Sequence, residues 1–182
     1  MWVDNVISHK EKYSLRGNDL MNIIKTKLVV YHDLANVNRL EQLFDAENRF
    51  ILLMESKRNS GHYVSILYDA DRNILEFFDS YGHTHNDLIQ DLHYYVEARN
   101  GKYFLMNLFE KFQRQTGCRI LYNRTPFQQL DGDINTCGRW AYLRAKYHYL
   151  TQEDFNRGIV YYCRKHKLEY DAFVTLCTML VH

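Results

Sequence analysis

The sequence is short of the residues that punctuate chains. One proline, Pro126, and 8 glycines in 182 residues leave no linker-like stretch. No composition shift marks a boundary, so residues 1–182 read as one domain. No segment repeats itself at the roughly 20–50-residue period of solenoids and propellers. Charges interrupt every apolar run well before the ~20 residues that a membrane-spanning helix needs. The start, Met-Trp-Val-Asp-Asn-Val, has no basic stretch followed by an apolar one, so no signal peptide is expected. Cysteine is scattered: Cys118, Cys137, Cys163 and Cys177 contain no Cys-x-x-Cys pair. That argues against a disulfide framework and against zinc, and favours free thiols in a reducing compartment. An excess of one charge is missing too. Lys plus Arg number 23 against 22 Asp plus Glu, a formal net charge of +1, unlike a strongly basic nucleic-acid binder or an acidic tail.

What is present is core material. Hydrophobic residues make up 46% and aromatics 15%, enough to bury one core without staples. Asn18 or Asp19 can cap a helix through Leu20, Ile23 and Ile24. Leu28–Tyr31 is a short β-like run, and Val37, Leu40, Leu43 and Phe44 fall at the spacing of a second amphipathic helix. The period then changes. Phe50–Met54, Tyr63–Tyr68 and Leu75–Phe78 read as an antiparallel meander, with the last turn at 69–73. Helical spacing returns over Leu88–Val96 and Phe104–Phe112, the latter stopped by Gly117. Arg119–Tyr122 is a further strand, a loop covers 123–136, and a helix starts at or just after Cys137. Thr151 with Asp154 opens another helix, and Asp171 opens a last one. The pattern is an α+β globule.

Three stretches suit thiol chemistry. Gly61-His62-Tyr63-Val64 opens a strand, with a small residue leaving room beside the imidazole. Phe77-Phe78-Asp79-Ser80-Tyr81-Gly82 ends a strand on a carboxylate. Asn135-Thr136-Cys137-Gly138-Arg139-Trp140 places a thiol in the first turn of a helix, where the dipole and free N–H groups favour the thiolate. A nearby His can pair with it and protonate a leaving amine, and an Asp can hold the imidazole. If 63–68 and 75–78 pair about the 69–74 turn, His62 lies opposite the end carrying Asp79, at roughly 5 Å between Cβ atoms. Taken singly, each has a plainer reading: His62 a filler, Asp79 a turn former, Cys137 a packed thiol. His83 and His85 near Asp87 read as a solvated loop. Trp140 reads as a core anchor, and the other three cysteines as structural thiols among apolar neighbours.

Taken in order, these motifs resemble the adenain clan of cysteine peptidases, which joins the adenovirus protease to the SENP-type proteases. The resemblance rests on Gly-His-Tyr at 61–63, Phe-Asp-Ser-Tyr-Gly at 78–82, a Gln in Phe127-Gln128-Gln129, and Thr-Cys-Gly-Arg-Trp at 136–140, with 17 residues from His62 to Asp79. Ser14-Leu-Arg-Gly-Asn-Asp-Leu20 is similar to the N-terminal element of viral members, so the likeness spans about residues 14–150. The cellular enzymes carry Trp after the His and Asp before the Cys; here Tyr63 and Thr136 stand there. The chain looks most like the maturation proteases of virophages, Polinton-type elements and large DNA viruses.

The resemblance implies a papain-like α+β fold of the adenain type, a small mixed or antiparallel sheet flanked by helices. It implies Cys137 as nucleophile, His62 as general base and acid, Asp79 as its orienter, and Gln128 or Gln129 as the side-chain oxyanion donor. Gln128 is preferred because it follows Phe127 at the strand end. Tyr63 is left between walling the cleft and packing, and Gly138 between necessity beside the acyl group and none. The implied activity is a viral cysteine endopeptidase that cuts capsid or core precursors, with small residues near the scissile bond, in the virion and host-cell cytoplasm. A monomer is expected. The adenovirus enzyme uses an activating peptide and DNA, so the resemblance leaves an activating peptide or nucleic acid open here, while the charge of +1 and the short Arg164–Lys167 cluster lend DNA little support and no required cofactor is read from the chain. The rival readings are an isopeptidase acting on ubiquitin-like conjugates, an acetyltransferase and an inactive binding module.

Overall fold

The computed structural model describes residues 26–57, 60–91, 103–130 and 134–179. The expected helix near residues 18–24, the Ser14–Leu20 element and the end of the Leu88–Val96 helix lie outside these. The apolar runs form one five-stranded sheet in the order β1-β2-β3-β4-β5. Its strands are β1 (Lys27–Val30), β2 (Arg49–Lys57), β3 (Ser60–Asp69), β4 (Ile74–Phe78) and β5 (Arg119–Tyr122). The β2-β3-β4 meander is antiparallel as the alternating turns require, while β1 and β5 join its two edges in parallel. The sheet is therefore mixed, and helices flank it. They are α1 (His85–Asp91), α2 (Phe104–Thr116), α3 (Cys137–Lys146), α4 (Gln152–His166) and α5 (Tyr170–Thr178).

Strand alternation divides the core in two. Phe50, Leu52, Met54, Ile66 and Phe77 pack with Leu34 and with Leu105, Phe109 and Phe112 of α2. Ile51 and Phe78 point the other way, to Phe127, Trp140 of α3, Phe155 and Ile159 of α4, and Val174 of α5. Gly117 ends α2 in the left-handed region at φ 68°, its N–H bonded to the carbonyl of Gln113, as a C′ glycine does. The Thr151 side chain accepts from Asp154 N at the start of α4. Among the described residues no helix is long and apolar enough to cross a membrane.

The second expected amphipathic helix is absent. Two short 3₁₀ turns, Tyr31–Asn36 and Leu40–Gln42, stand in its place, and Val37 and Arg39 between them are extended. Side-chain caps close the second short turn before a helix can propagate. Gln42 Oε1 accepts from the N–H groups of Asn38 and Arg39, and Asp45 Oδ1 from those of Glu47 and Arg49. Local side-chain bonds of this kind compete directly with helix formation.

Helix α3 is pinned to the sheet by a buried ion pair. Arg144 Nε and Nη2 each lie 2.7 Å from the two carboxylate oxygens of Glu76 on β4. Arg144 also donates to the carbonyls of Tyr147 and Leu150. At the other end of β3, Gly61 has a packing role unlike the one its sequence context suggests. A Cβ there would sit 2.0 Å from the Met54 carbonyl oxygen on β2, so it is the neighbouring strand that excludes a side chain, with no imidazole among the atoms met. Gly61→Ala should cost about 3 kcal/mol, the upper end for over-packing. The check is a lower urea midpoint at unchanged m-value.

Candidate active site

Cys137 is the first residue of α3, and the thiol is 9% exposed. Burial pushes the thiol up, but the hydrogen bond and charge of His62, with backbone N–H groups of Tyr63 and Gly138, outweigh it and hold Cys137 below its ordinary value. The same contact acts on the imidazole in reverse. Burial pulls His62 down, and its hydrogen bonds to Asp79 and Cys137 outweigh that, so His62 is held well above the usual imidazole range. A lowered thiol beside a raised imidazole is the electrostatic signature of a thiolate–imidazolium pair. His62 Nε2 bonds Asp79 Oδ1, which leaves Nδ1 as the nitrogen that faces the sulfur.

Asp79 is fully buried one residue past the end of β4. Its Oδ1 also accepts from Tyr81 N at 3.3 Å and its Oδ2 from His83 N at 2.9 Å, so the tight turn that follows fixes the carboxylate. Gly82 makes that turn at φ 80°. The β3–β4 ladder ends at the Ser65–Phe78 pair. Continued, it would set Asp79 against Val64, so His62 meets Asp79 on the diagonal and is not directly opposed to it. Both residues keep the same parity along their strands, which is why the contact survives the two-residue difference.

Gln128 and Gln129 have different surroundings. Gln128 is 4% exposed; its Oε1 accepts from Ser80 Oγ at 2.8 Å, and its Nε2 donates to Tyr81 Oη at 3.0 Å and the Ile134 carbonyl at 3.3 Å. The Gln129 side chain is exposed, and its backbone N–H is held by Asp171 Oδ2 at 2.9 Å. Four expected site residues, His62, Asp79, Cys137 and Gln128, thus stand with or beside one another through the 79–82 turn.

Three further residues of this region were not singled out from the sequence. Tyr81 lies inside the quoted Phe-Asp-Ser-Tyr-Gly motif, and its ring stacks on the His62 imidazole with centroids 4.7 Å apart. Asn123 is buried and donates Nδ2 to the Asp79 carbonyl at 2.8 Å. Asp171, read as a helix opener, is a buried carboxylate at the start of α5. Its Oδ1 accepts from Thr136 Oγ1 and from Trp140 Nε1, and its Oδ2 accepts from Gln129 N, so it anchors both ends of the loop before Cys137. Only long-range packing creates that role, and no local signal carries it.

Other readings change or hold. His85 opens α1 and is buried against Phe77, Phe109 and Tyr122, because its ring fills an aromatic layer; it is no solvated loop residue. Cys118 and Cys163 are buried, whereas Cys177 is exposed, since it faces outward on α5. Trp140 is fully buried, as a core anchor should be, and Tyr63 packs partly buried against the α3–α5 core. No cluster of His, Cys, Asp or Glu among the described residues could hold a metal ion.

The arrangement can generate a nucleophilic thiolate and hold a proton on the adjacent imidazole. Sequence comparison adds a relative. The chain is 30% identical over 177 residues to the "Uncharacterized protein V9" of Sputnik virophage, covering 95% of this chain and 98% of the relative. No protein-family model matches the chain, and no solved structure matches it.

Proposed function

The chain belongs to the family of the Sputnik virophage protein V9, and from the site it carries we propose that it is a cysteine endopeptidase on a papain-like fold, cutting virion precursor proteins during particle maturation. The observation that supports it most is a helix-start thiol, Cys137, hydrogen-bonded to His62, which is itself held by the buried carboxylate of Asp79. In this reading the Cys137 thiolate attacks the scissile carbonyl. His62 Nδ1 gives its proton to the departing amine, then takes one from the water that hydrolyses the thioester. Asp79 keeps Nε2 protonated and the ring oriented. The Cys137 backbone N–H and the Gln128 side-chain amide receive the oxyanion. The virus-factory cytoplasm and the particle are where such an enzyme would act.

The test is incubation of the full chain with capsid precursors translated from a virophage genome, with fragments read by mass spectrometry. Discrete internal cuts, absent with Cys137→Ala, are expected. An intact precursor in the presence of a rapidly alkylating Cys137 overturns the reading. Release of a Gly-Gly-linked ubiquitin-like protein without precursor cleavage replaces it with an isopeptidase.

A further inference from the structure

The two groups that would receive an oxyanion come from opposite ends of one loop. Gln128 stands 9 residues before Cys137. A connection of that length does not by itself hold its ends to the roughly 0.5 Å that a preorganised site requires. The Gln128 end is fastened to the turn after β4, where the Ser80 carbonyl accepts from Phe127 N at 2.8 Å and from Gln128 N at 3.0 Å. Those bonds set Gln128 relative to Asp79. They do not set it relative to the Cys137 backbone.

A single carboxylate joins the two ends. Asp171, the second residue of α5, accepts from Gln129 N at 2.9 Å through Oδ2. Through Oδ1 it accepts from Thr136 Oγ1 and, at 3.2 Å, from Trp140 Nε1. Gln129 directly follows the amide donor, Thr136 directly precedes Cys137, and Trp140 lies one turn into the helix that Cys137 opens. Asp171 is 2% exposed, and burial pushes its carboxyl up. Among the described residues no Lys or Arg pairs with it. A buried carboxylate without a cation is costly, and here three donors and the first turn of α5 offset that cost. His62 and Asp79 are held by other bonds, at the β3–β4 end and its turn.

We propose that Asp171 is a positioning residue for the oxyanion: its two oxygens set the spacing between the Gln128 amide and the Cys137 backbone N–H. The proposal rests on the peptidase reading above. In the acylation step the Cys137 sulfur forms a bond to the carbonyl carbon, and the C=O π pair moves to oxygen, where both donors must meet it together. The pair then returns, the C–N bond breaks, and the amine leaves with the proton from His62 Nδ1. Alkylation of the same sulfur forms no oxyanion and needs only the thiolate. Asp171 therefore governs the first reaction and leaves the second alone.

The experiment compares two reactions of Cys137 in the full chain: alkylation by iodoacetamide, and acylation by the 4-nitrophenyl ester of N-acetylglycine. Gln128→Ala removes a donor outright and sets the scale, a loss of about 10²-fold in acylation. Asp171→Asn keeps the size of the side chain but has one acceptor oxygen, and its NH₂ group faces a donor, so only one end of the loop stays held. It should alkylate at the wild-type rate and acylate about 10-fold more slowly, since misplacement by ~1 Å costs up to about 10²-fold. Thr136→Val, which releases the other end, should shift the ratio of the two rates in the same direction. Wild-type acylation by Asp171→Asn overturns the proposal even if the variant melts earlier, because the carboxylate then only anchors α5. Equal losses in both reactions also overturn it, because the thiolate pair would be what is disturbed. If Asp171→Asn shows no cooperative melt, Thr136→Val decides by the same ratio. A wild type that alkylates quickly but does not acylate removes the peptidase reading itself, which is a different result from any of these.

Discussion

His62→Ala should slow iodoacetamide alkylation of Cys137 at pH 5.5 by about a hundredfold. An ordinary thiol is only about one part in a thousand ionised at that pH. Burial pushes wild-type Cys137 up, but His62 and the N–H groups of Tyr63 and Gly138 together outweigh it and hold the thiol below its ordinary value. Its thiolate persists to lower pH than that of an ordinary thiol, whereas burial pushes Cys163 the other way, up to about 11. In the variant the lowering by His62 is gone, and burial is opposed only by the N–H groups of Tyr63 and Gly138, so the thiol rises. The loss of ionised sulfur is partly offset, since a thiolate of higher pKa is the better nucleophile. The measurement is intact-mass labelling across pH 4 to 9. A variant that alkylates at the wild-type rate in acid would show that the helix start and the N–H groups of Tyr63 and Gly138 suffice, and would end the ion-pair account.

Arg144→Met should lower stability by about 3–5 kcal/mol, which for a chain of this size is a fall in Tm of roughly 10 °C. The guanidinium is 2% exposed and Glu76 5% exposed. Removing the cation leaves a carboxylate inside the α3–β4 interface with no positive partner, and two helix-end carbonyls, of Tyr147 and Leu150, lose their donor. The double replacement Arg144→Met with Glu76→Leu should recover most of the loss, because an apolar pair of similar volume avoids the desolvation of both charges. If single and double variants melt together, the effect is packing and the charge left behind contributes nothing. Calorimetry separates the two outcomes.

Much of this architecture is legible in the sequence because local periodicity and tertiary burial agree. Phe50–Met54 and Leu75–Phe78 are apolar throughout since both faces of their strands are covered, and the Gly117 stop needs nothing beyond its own backbone. The 37–44 stretch misleads because its apolar spacing fits a helix, while Val37 and Arg39 are extended and Gln42 caps a single 3₁₀ turn. The His62–Asp79 contact is legible from strand parity, though a hairpin drawn without its register places it two residues off. Tyr81 and Asp171 are beyond a linear reading. Each acts across a distance in chain that no motif spans, Tyr81 on Gln128 and Asp171 on Thr136.

Asp171 also sets an order of events in synthesis. The loop that presents Cys137 is held from a helix made 35 residues after Thr136. A growing chain therefore displays the sulfur before the carboxylate that fixes its setting has been translated. Until α5 docks, Thr136, Trp140 and Gln129 have no common anchor, and the thiol belongs to an unassembled site. The setting of Cys137 is thus completed only when the last described helix has been made and has docked.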